Sequence, residues 1–146
     1  NRSDSLTQIP DRSRIRPRLH AGSCSVTYCG AGEHLFIVSR HGQSHYRLET
    51  TGVPLGCSTD LEYDPAVQVP LAPGDILLLL TDGFREAHNS NNELFGEDCI
   101  INVVAAHQHE SASDIFNSMR NAIQEFTGDM QQHDDMTGIV VKVLND

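Results

Sequence analysis

At 146 residues the chain has the size of one domain, and 38% apolar and 21% charged residues with 11 Gly and 6 Pro describe a globular protein rather than a collagenous or disordered one. The longest uninterrupted apolar run, Ile76 to Leu80, is far short of the roughly 20 residues that span a bilayer, which excludes a transmembrane helix. The net charge is -10, and because residues 1 to 20 hold five Arg and two acids, the other 126 carry -13; so negative a body repels nucleic acid and anionic membrane and favours divalent cations or basic partners.

Residues 1 to 20 lack periodicity and contain Pro10 and Pro17, so they are expected to form a linker or an edge segment, with the domain proper over 21–146. The alternating Arg12, Arg14, Arg16 and Arg18 suit the solvent face of a strand or a leftover linker better than a basic arm. An opening Asn in place of Met is what a piece of a longer protein shows.

Ser23 to Cys29 (SCSVTYC) suits a strand, Gly30 to Gly32 a turn, and His34 to Arg40 (HLFIVSR) a second strand, together predicting a hairpin. His41 and Gly42 mark another turn and His45 to Glu49 a third short strand, which extends the hairpin to a meander. Gly52 to Gly56 (GVPLG) reads as a loop, since Pro54 fixes one dihedral and the glycines permit unusual ones. Val67 to Leu71 is a further strand, and Pro73, Gly74 and Asp75 turn the chain into Ile76 to Leu80, whose five apolar residues predict a strand covered on both faces.

Gly96 to His107 places Ile100, Val103, Val104 and His107 at helical spacing, and Ser111 to Phe126 places Ile115, Met119, Ala122, Ile123 and Phe126 on one stripe. Ser111 with Asp114 resembles a capping box, and Gly128 stands where the second helix should end. Gly138 to Leu144 is a last strand. The order predicts an α+β fold with the helices on one face of a largely antiparallel sheet.

The four cysteines, Cys24, Cys29, Cys57 and Cys99, include no close-spaced pair and no secretory leader is in view, so reduced, buried thiols are expected. Cys24 and Cys29, five apart on a strand, would face opposite sides and not share a zinc. His107 and His109 are expected to meet the last carbonyls of a helix rather than a metal.

Asp82 directly follows the buried strand in Thr81-Asp82-Gly83-Phe84-Arg85-Glu86-Ala87, and Asp134 and Asp135 directly precede the last strand. Paired antiparallel, these strands bring the carboxylates together at one sheet end; paired parallel, they separate them. Clustered carboxylates repel unless a cation or proton intervenes, and oxygen-only ligands select hard ions such as Mg²⁺ or Mn²⁺. The alternative is that Asp82-Gly83 is an ordinary turn and Asp134-Asp135 only solvates a strand start.

The stretches PGDILLLLTDGFREAHNSNNELFG (Pro73 to Gly96) and HDDMTGIVVKV (His133 to Val143) resemble the metal-dependent (PPM-type) serine/threonine protein phosphatases, in particular the SpoIIE-type branch of bacteria. Val26 to Val38 is similar to that branch's strand-turn-strand with an Ala-Gly-His-like turn, and Gly52 to Gly56 matches its GxPLG loop. The resemblance covers residues from about 20 to 145 and implies a PPM-like sandwich of antiparallel sheets flanked by helices, with a two-metal centre of Mn²⁺ or Mg²⁺ at one end. It places Asp82 and Asp134 as metal ligands and Asp135 behind them. Glu86 matches the pattern in either a structural or a catalytic role, and Arg85 is expected in solvent. The family's early acidic residues and Gly-Asp turn have no counterpart upstream of His20, so the chain is expected to be the C-terminal two-thirds of the domain, lacking its first strands and helices.

By resemblance, the activity is hydrolysis of phosphoserine or phosphothreonine on an anti-anti-sigma-like regulatory protein in a bacterial stress or developmental pathway, by attack of a metal-activated water. No cysteine in a phosphate-cradling loop and no histidine placed for covalent catalysis argues otherwise. The expected partner is a phosphorylated protein in the cytoplasm, with no nucleic acid and no membrane insertion; the sequence sets no oligomeric state. The rival reading is a catalytically degenerate phosphatase-like module that binds a partner protein, and a third is a plain α+β scaffold with incidental turn aspartates.

Overall fold

The apolar run Ile76–Leu80 is the strand on which the layers are assembled. The computed structural model describes residues 14–15, 17–31, 34–40, 45–52, 66–130 and 135–144. Its strands are β1 (Arg14–Ile15), β2 (Arg18–His20), β3 (Ser25–Tyr28), β4 (Gly30–Ala31), β5 (Leu35–Val38), β6 (His45–Leu48), β7 (Val67–Pro70), β8 (Ile76–Leu80) and β9 (Gly138–Lys142). The helices are α1 (Gly83–Glu86), α2 (Gly96–Ala106) and α3 (Ala112–Thr127). Among the described residues the strands make a four-stranded sheet β6-β5-β8-β9, a three-stranded sheet β2-β3-β7 and the pair β1-β4, with antiparallel neighbours throughout.

Strand side chains alternate between faces, and β8 uses both. Ile76, Leu78 and Leu80 enter a core with Phe36 and Val38 of β5, Ile100, Ile101 and Val104 of α2, and Ile115, Met119 and Ile123 of α3. Leu77 enters a second core with Leu35 and Ile37 of β5 and Val26 and Tyr28 of β3, and Leu79 packs against it. The fold is therefore a sandwich of two antiparallel sheets with the helices covering the outer face of the larger one.

Helices α2 and α3 form as their spacing predicts, and the single turn α1 is an addition. Ser111 caps α3 by accepting the Asp114 N–H at 3.1 Å and donating to Asp114 Oδ2 at 2.6 Å, and Gly128 ends it at φ 57°. At the close of α2 the structure differs for His107, whose Nδ1 meets Glu110 Oε1 at 2.9 Å, and past the helix the carbonyls of Gln108 and Glu110 accept from Lys142 Nζ at 2.7 and 2.6 Å.

The predicted hairpin of β3 and β5 does not form. β3 alternates with one core face and pairs with β2 and β7, whereas all four residues of β5 are buried and it lies inside the larger sheet. Between them Gly30–Ala31 pairs with β1 and Ala31 bridges Gly52, so the chain crosses from one layer to the other instead of reversing in plane. The pairing of β5 with β6 holds. Arg18, in the segment read as linker or edge, lies exposed at the start of the edge strand β2.

Cys24, Cys29 and Cys99 are free thiols, but none is buried: Cys24 (φ 40°) and Cys29 flank β3, half-buried, and Cys99 is exposed. Cys57, and Val53 to Gly56 of the predicted GVPLG loop, lie outside the described residues.

Leu78 is fully buried at the centre of the helix-facing core. Its replacement by Ala should lower unfolding stability by about 2–5 kcal/mol, read as a shift of the urea midpoint at unchanged slope.

Candidate functional site

Asp82 owes its place to the pairing of β8 with β9. The antiparallel register runs from Ile76↔Lys142 to Leu80↔Gly138, so the C-terminal end of β8 adjoins the N-terminal start of β9, as the shared acidic site requires. At Asp82 the backbone turns from strand to helix (φ -57°, ψ -28°), and its carbonyl accepts the N–H groups of Arg85 and Glu86 at 2.8 and 2.9 Å.

Both neighbours of Asp82 close on the peptide of Asp135. Thr81 Oγ1 donates to the Asp135 carbonyl at 3.1 Å, and a Cβ on Gly83 would stand 2.7 Å from the same oxygen. Asp82 is thus seated beside Asp135, which is exposed. Asp134, the other sequence-assigned ligand, lies outside the described residues and is the residue before Asp135. Glu86 is exposed at the end of α1, and Arg85, expected in solvent, is half-buried.

The half-buried Asp82 carboxylate has no side-chain hydrogen bond or ion pair among the described residues. Aspartate carboxylates offer only oxygen donors, which suits a hard divalent cation in kind. Two of them are too few to saturate one, and among the described residues no group of three His, Cys, Asp or Glu side chains assembles.

A charged cluster that the sequence did not reveal lies at the same sheet end. Extending the registers sets His34 between Glu49 and Leu80. Arg47 grips Glu49 through Nε and Nη2 at 2.9 and 3.2 Å and reaches Glu97 of α2 through Nη1 at 3.2 Å, which ties β6 to the helix layer and raises the Arg47 pKa. The hydrogen bonds from Arg47 in turn hold Glu49 below its ordinary value. Glu97 is 50 positions from Arg47, and no local pattern links them. Burial, then the charge of Arg47, pushes the His34 pKa below its ordinary 6.5, with Glu49 partly opposing. His34 Nδ1 stands 3.4 Å from Glu49 Oε2 without a hydrogen bond.

Two outcomes follow. Helix propensity alone would make Gly83→Ala stabilising by up to about 1 kcal/mol, but the new methyl must displace a backbone carbonyl. The variant should therefore lose about 1–3 kcal/mol in a urea melt, while Gly22→Ala, with open space around its Cβ, stays within about 0.5 kcal/mol. For His34, the unfolded chain binds a proton before the folded one does, so its contribution is complete above pH 6.5 and is lost as pH falls below it. His34→Gln should flatten the pH dependence of the melting temperature in that acidic range.

Comparison with known proteins bears on the family and the fold. A family model described as Stage II sporulation protein E (SpoIIE) matches residues 17–144. The phosphoserine phosphatase RsbU of Bacillus subtilis (strain 168) is 32% identical over 117 residues, 80% of this chain and 34% of RsbU. Among solved structures, the SiaA-PP2C domain of Pseudomonas aeruginosa superposes with a TM-score of 0.72 at 24% identity, over 82% of this chain and 47% of that one. The PP2C phosphatase domain of the cell fate determinant SpoIIE from Bacillus subtilis, solved with a fragment of its regulatory domain, gives 0.70 at 18% identity over 88% and 37%. These two likenesses establish the fold, and the chain spans about a third of the length of RsbU. With the family match running over most of its length, the chain belongs to the SpoIIE family, the SpoIIE-type branch of the PPM phosphatase fold.

Proposed function

We propose that this chain forms part of a metal-dependent protein phosphatase that hydrolyses phosphoserine or phosphothreonine on a regulatory protein of the anti-anti-sigma kind, in the cytoplasm. The observation that carries the reading is the β8–β9 register, which seats Asp82 beside the peptide of Asp135, the residue that follows Asp134 in sequence. The named activity of RsbU favours catalysis over a partner-binding module.

In this reading Asp82 and Asp134 hold Mn²⁺ or Mg²⁺, and a bound pair supplies Lewis acidity toward the phosphoryl oxygens and lowers the pKa of the attacking water. The chain's own contribution is placement. Asp82 is fixed by the strand-to-helix junction, with its carboxylate left uncompensated by any described cation. Arg47 is engaged by Glu49 and Glu97, which hold β6 to α2. Asp135 stands behind the ligands, its carbonyl held by Thr81. Among the described residues no helix is long and apolar enough to cross a membrane.

The test is phosphopeptide hydrolysis by the full-length protein with Mn²⁺ and with chelator; turnover that persists in chelator would overturn the mechanism. Asp82→Asn and Asp134→Asn should abolish Mn²⁺-dependent turnover. In chelator they should melt no lower than the parent, because each neutral amide relieves repulsion between adjacent carboxylates. An Asp82→Asn protein that melts sharply lower and keeps its turnover would make Asp82 a structural turn residue.

A further inference from the structure

Hydrogen bonding is in conflict where β8 ends. The register continues to set Thr81 opposite Thr137, and a hydrogen-bonded antiparallel pair exchanges two bonds, each N–H to the other's carbonyl. One half is made, from the Thr81 N–H to the Thr137 carbonyl at 2.9 Å. The Thr81 carbonyl has instead turned into α1, where it accepts the Phe84 N–H at 3.2 Å. The Thr137 N–H donates to Thr81 Oγ1 at 3.0 Å. The hydroxyl proton is shared between the carbonyls of Asp135 at 3.1 Å and Thr137 at 3.3 Å. One side chain thus completes the ladder that its own carbonyl has left, and reaches past it to Asp135.

We propose that Thr81 is a positioning residue whose hydroxyl latches the 135–137 segment to the end of β8, so that the chain leaves the sheet at Asp82 while the aspartates of the facing strand stay in place. The inference rests on the reading of Asp82 and Asp134 as metal ligands and names what sets their separation. A hydroxyl is required because one atom must accept and donate at once. Valine keeps the shape and does neither; serine does both without the methyl group. Groups that orient metal ligands change metal affinity by about 10–100-fold when removed.

The experiment compares Thr81→Val and Thr81→Ser in the full-length protein by Mn²⁺ titration calorimetry, steady-state turnover against Mn²⁺ concentration, and amide hydrogen exchange at Thr137 in chelator. The valine protein should bind Mn²⁺ about tenfold or more weaker, need correspondingly more Mn²⁺ for half-maximal turnover at an unchanged KM for phosphopeptide, and exchange the Thr137 amide about tenfold faster. The serine protein should stay within about threefold of the parent in each respect. Thr81→Ala replaces the valine variant if the latter does not fold. Parent-like Mn²⁺ affinity and Thr137 protection without the hydroxyl would overturn the latch. So would a serine variant as impaired as valine, which would assign the effect to methyl packing. If the parent takes up no Mn²⁺, the metal reading falls, and exchange at Thr137 in chelator alone decides the latch: acceleration in the valine protein supports it and none overturns it.

Discussion

Burial of β8 between two layers supplies the apolar contact that joins both cores, yet a strand written Ile-Leu-Leu-Leu-Leu has little means of choosing its own register. A one-residue slip ordinarily moves an apolar face into solvent; here it would exchange leucine for leucine on both faces. Register must be imposed from the ends. At the N-terminal end Asp75, 9% exposed, accepts the backbone N–H groups of Ala72 at 2.7 Å and Arg40 at 3.0 Å, and Gly74 at φ 92° donates to the Val143 carbonyl at 2.7 Å. A side chain at Gly74 would meet Arg40 Cβ at 2.8 Å as well as adopting a conformation rare for L residues. Polar groups therefore fix one end of β8 against β5 and the chain leaving β9.

The other end is fixed by the residues that make up the acidic site. Thr81 ties to Thr137 and Asp135, and Gly83 admits the Asp135 carbonyl where a methyl group would not fit. Positions that set the register are thus the ones on either side of Asp82, and a sheet slipped by one residue would also misplace the carboxylates. Charge follows the same division. Arg47 is held between Glu49 and Glu97, which secures β6 to α2, and among the described residues no ion pair forms on Asp82.

What the sequence revealed follows from the range over which each signal acts. The double burial of Ile76–Leu80, the stripes of α2 and α3 and the Ser111 cap depend on neighbours within a few residues, and each forms as read. The adjacency of Asp82 to the 135 segment was legible because only one strand direction converges the acids. The β3–β5 hairpin misled because a short Gly-rich connection serves equally to cross between layers, and the choice depends on Arg14 and Ile15 pairing with Gly30 and Ala31. The Arg47–Glu97 tie was hidden by a separation of 50 positions. The Thr81 contacts were hidden because they exist only once the Thr81 carbonyl has turned into α1.

The aromatic packing beneath the site completes this picture. Phe84 of α1 meets Phe116 of α3 edge to face, with ring centroids 6.0 Å apart at 63°, an arrangement favoured by the ring quadrupoles. Gly138, where β9 begins, lies against both rings and Leu80: a Cβ there would stand 2.8 Å from Leu80 Cδ2, 3.0 Å from Phe116 Cε2 and 3.3 Å from Phe84 Cε2. The start of β9 is therefore clamped from the helix side by apolar contacts and at the sheet end by the Thr81 hydroxyl. Because a core this dense leaves no spare volume, Leu80, Phe84 and Phe116 fix where Gly138 begins β9, beside Thr137. The placing of residues 135–137 at the end of β8 is in this way a property of the helix-facing core as much as of the Thr81 contacts.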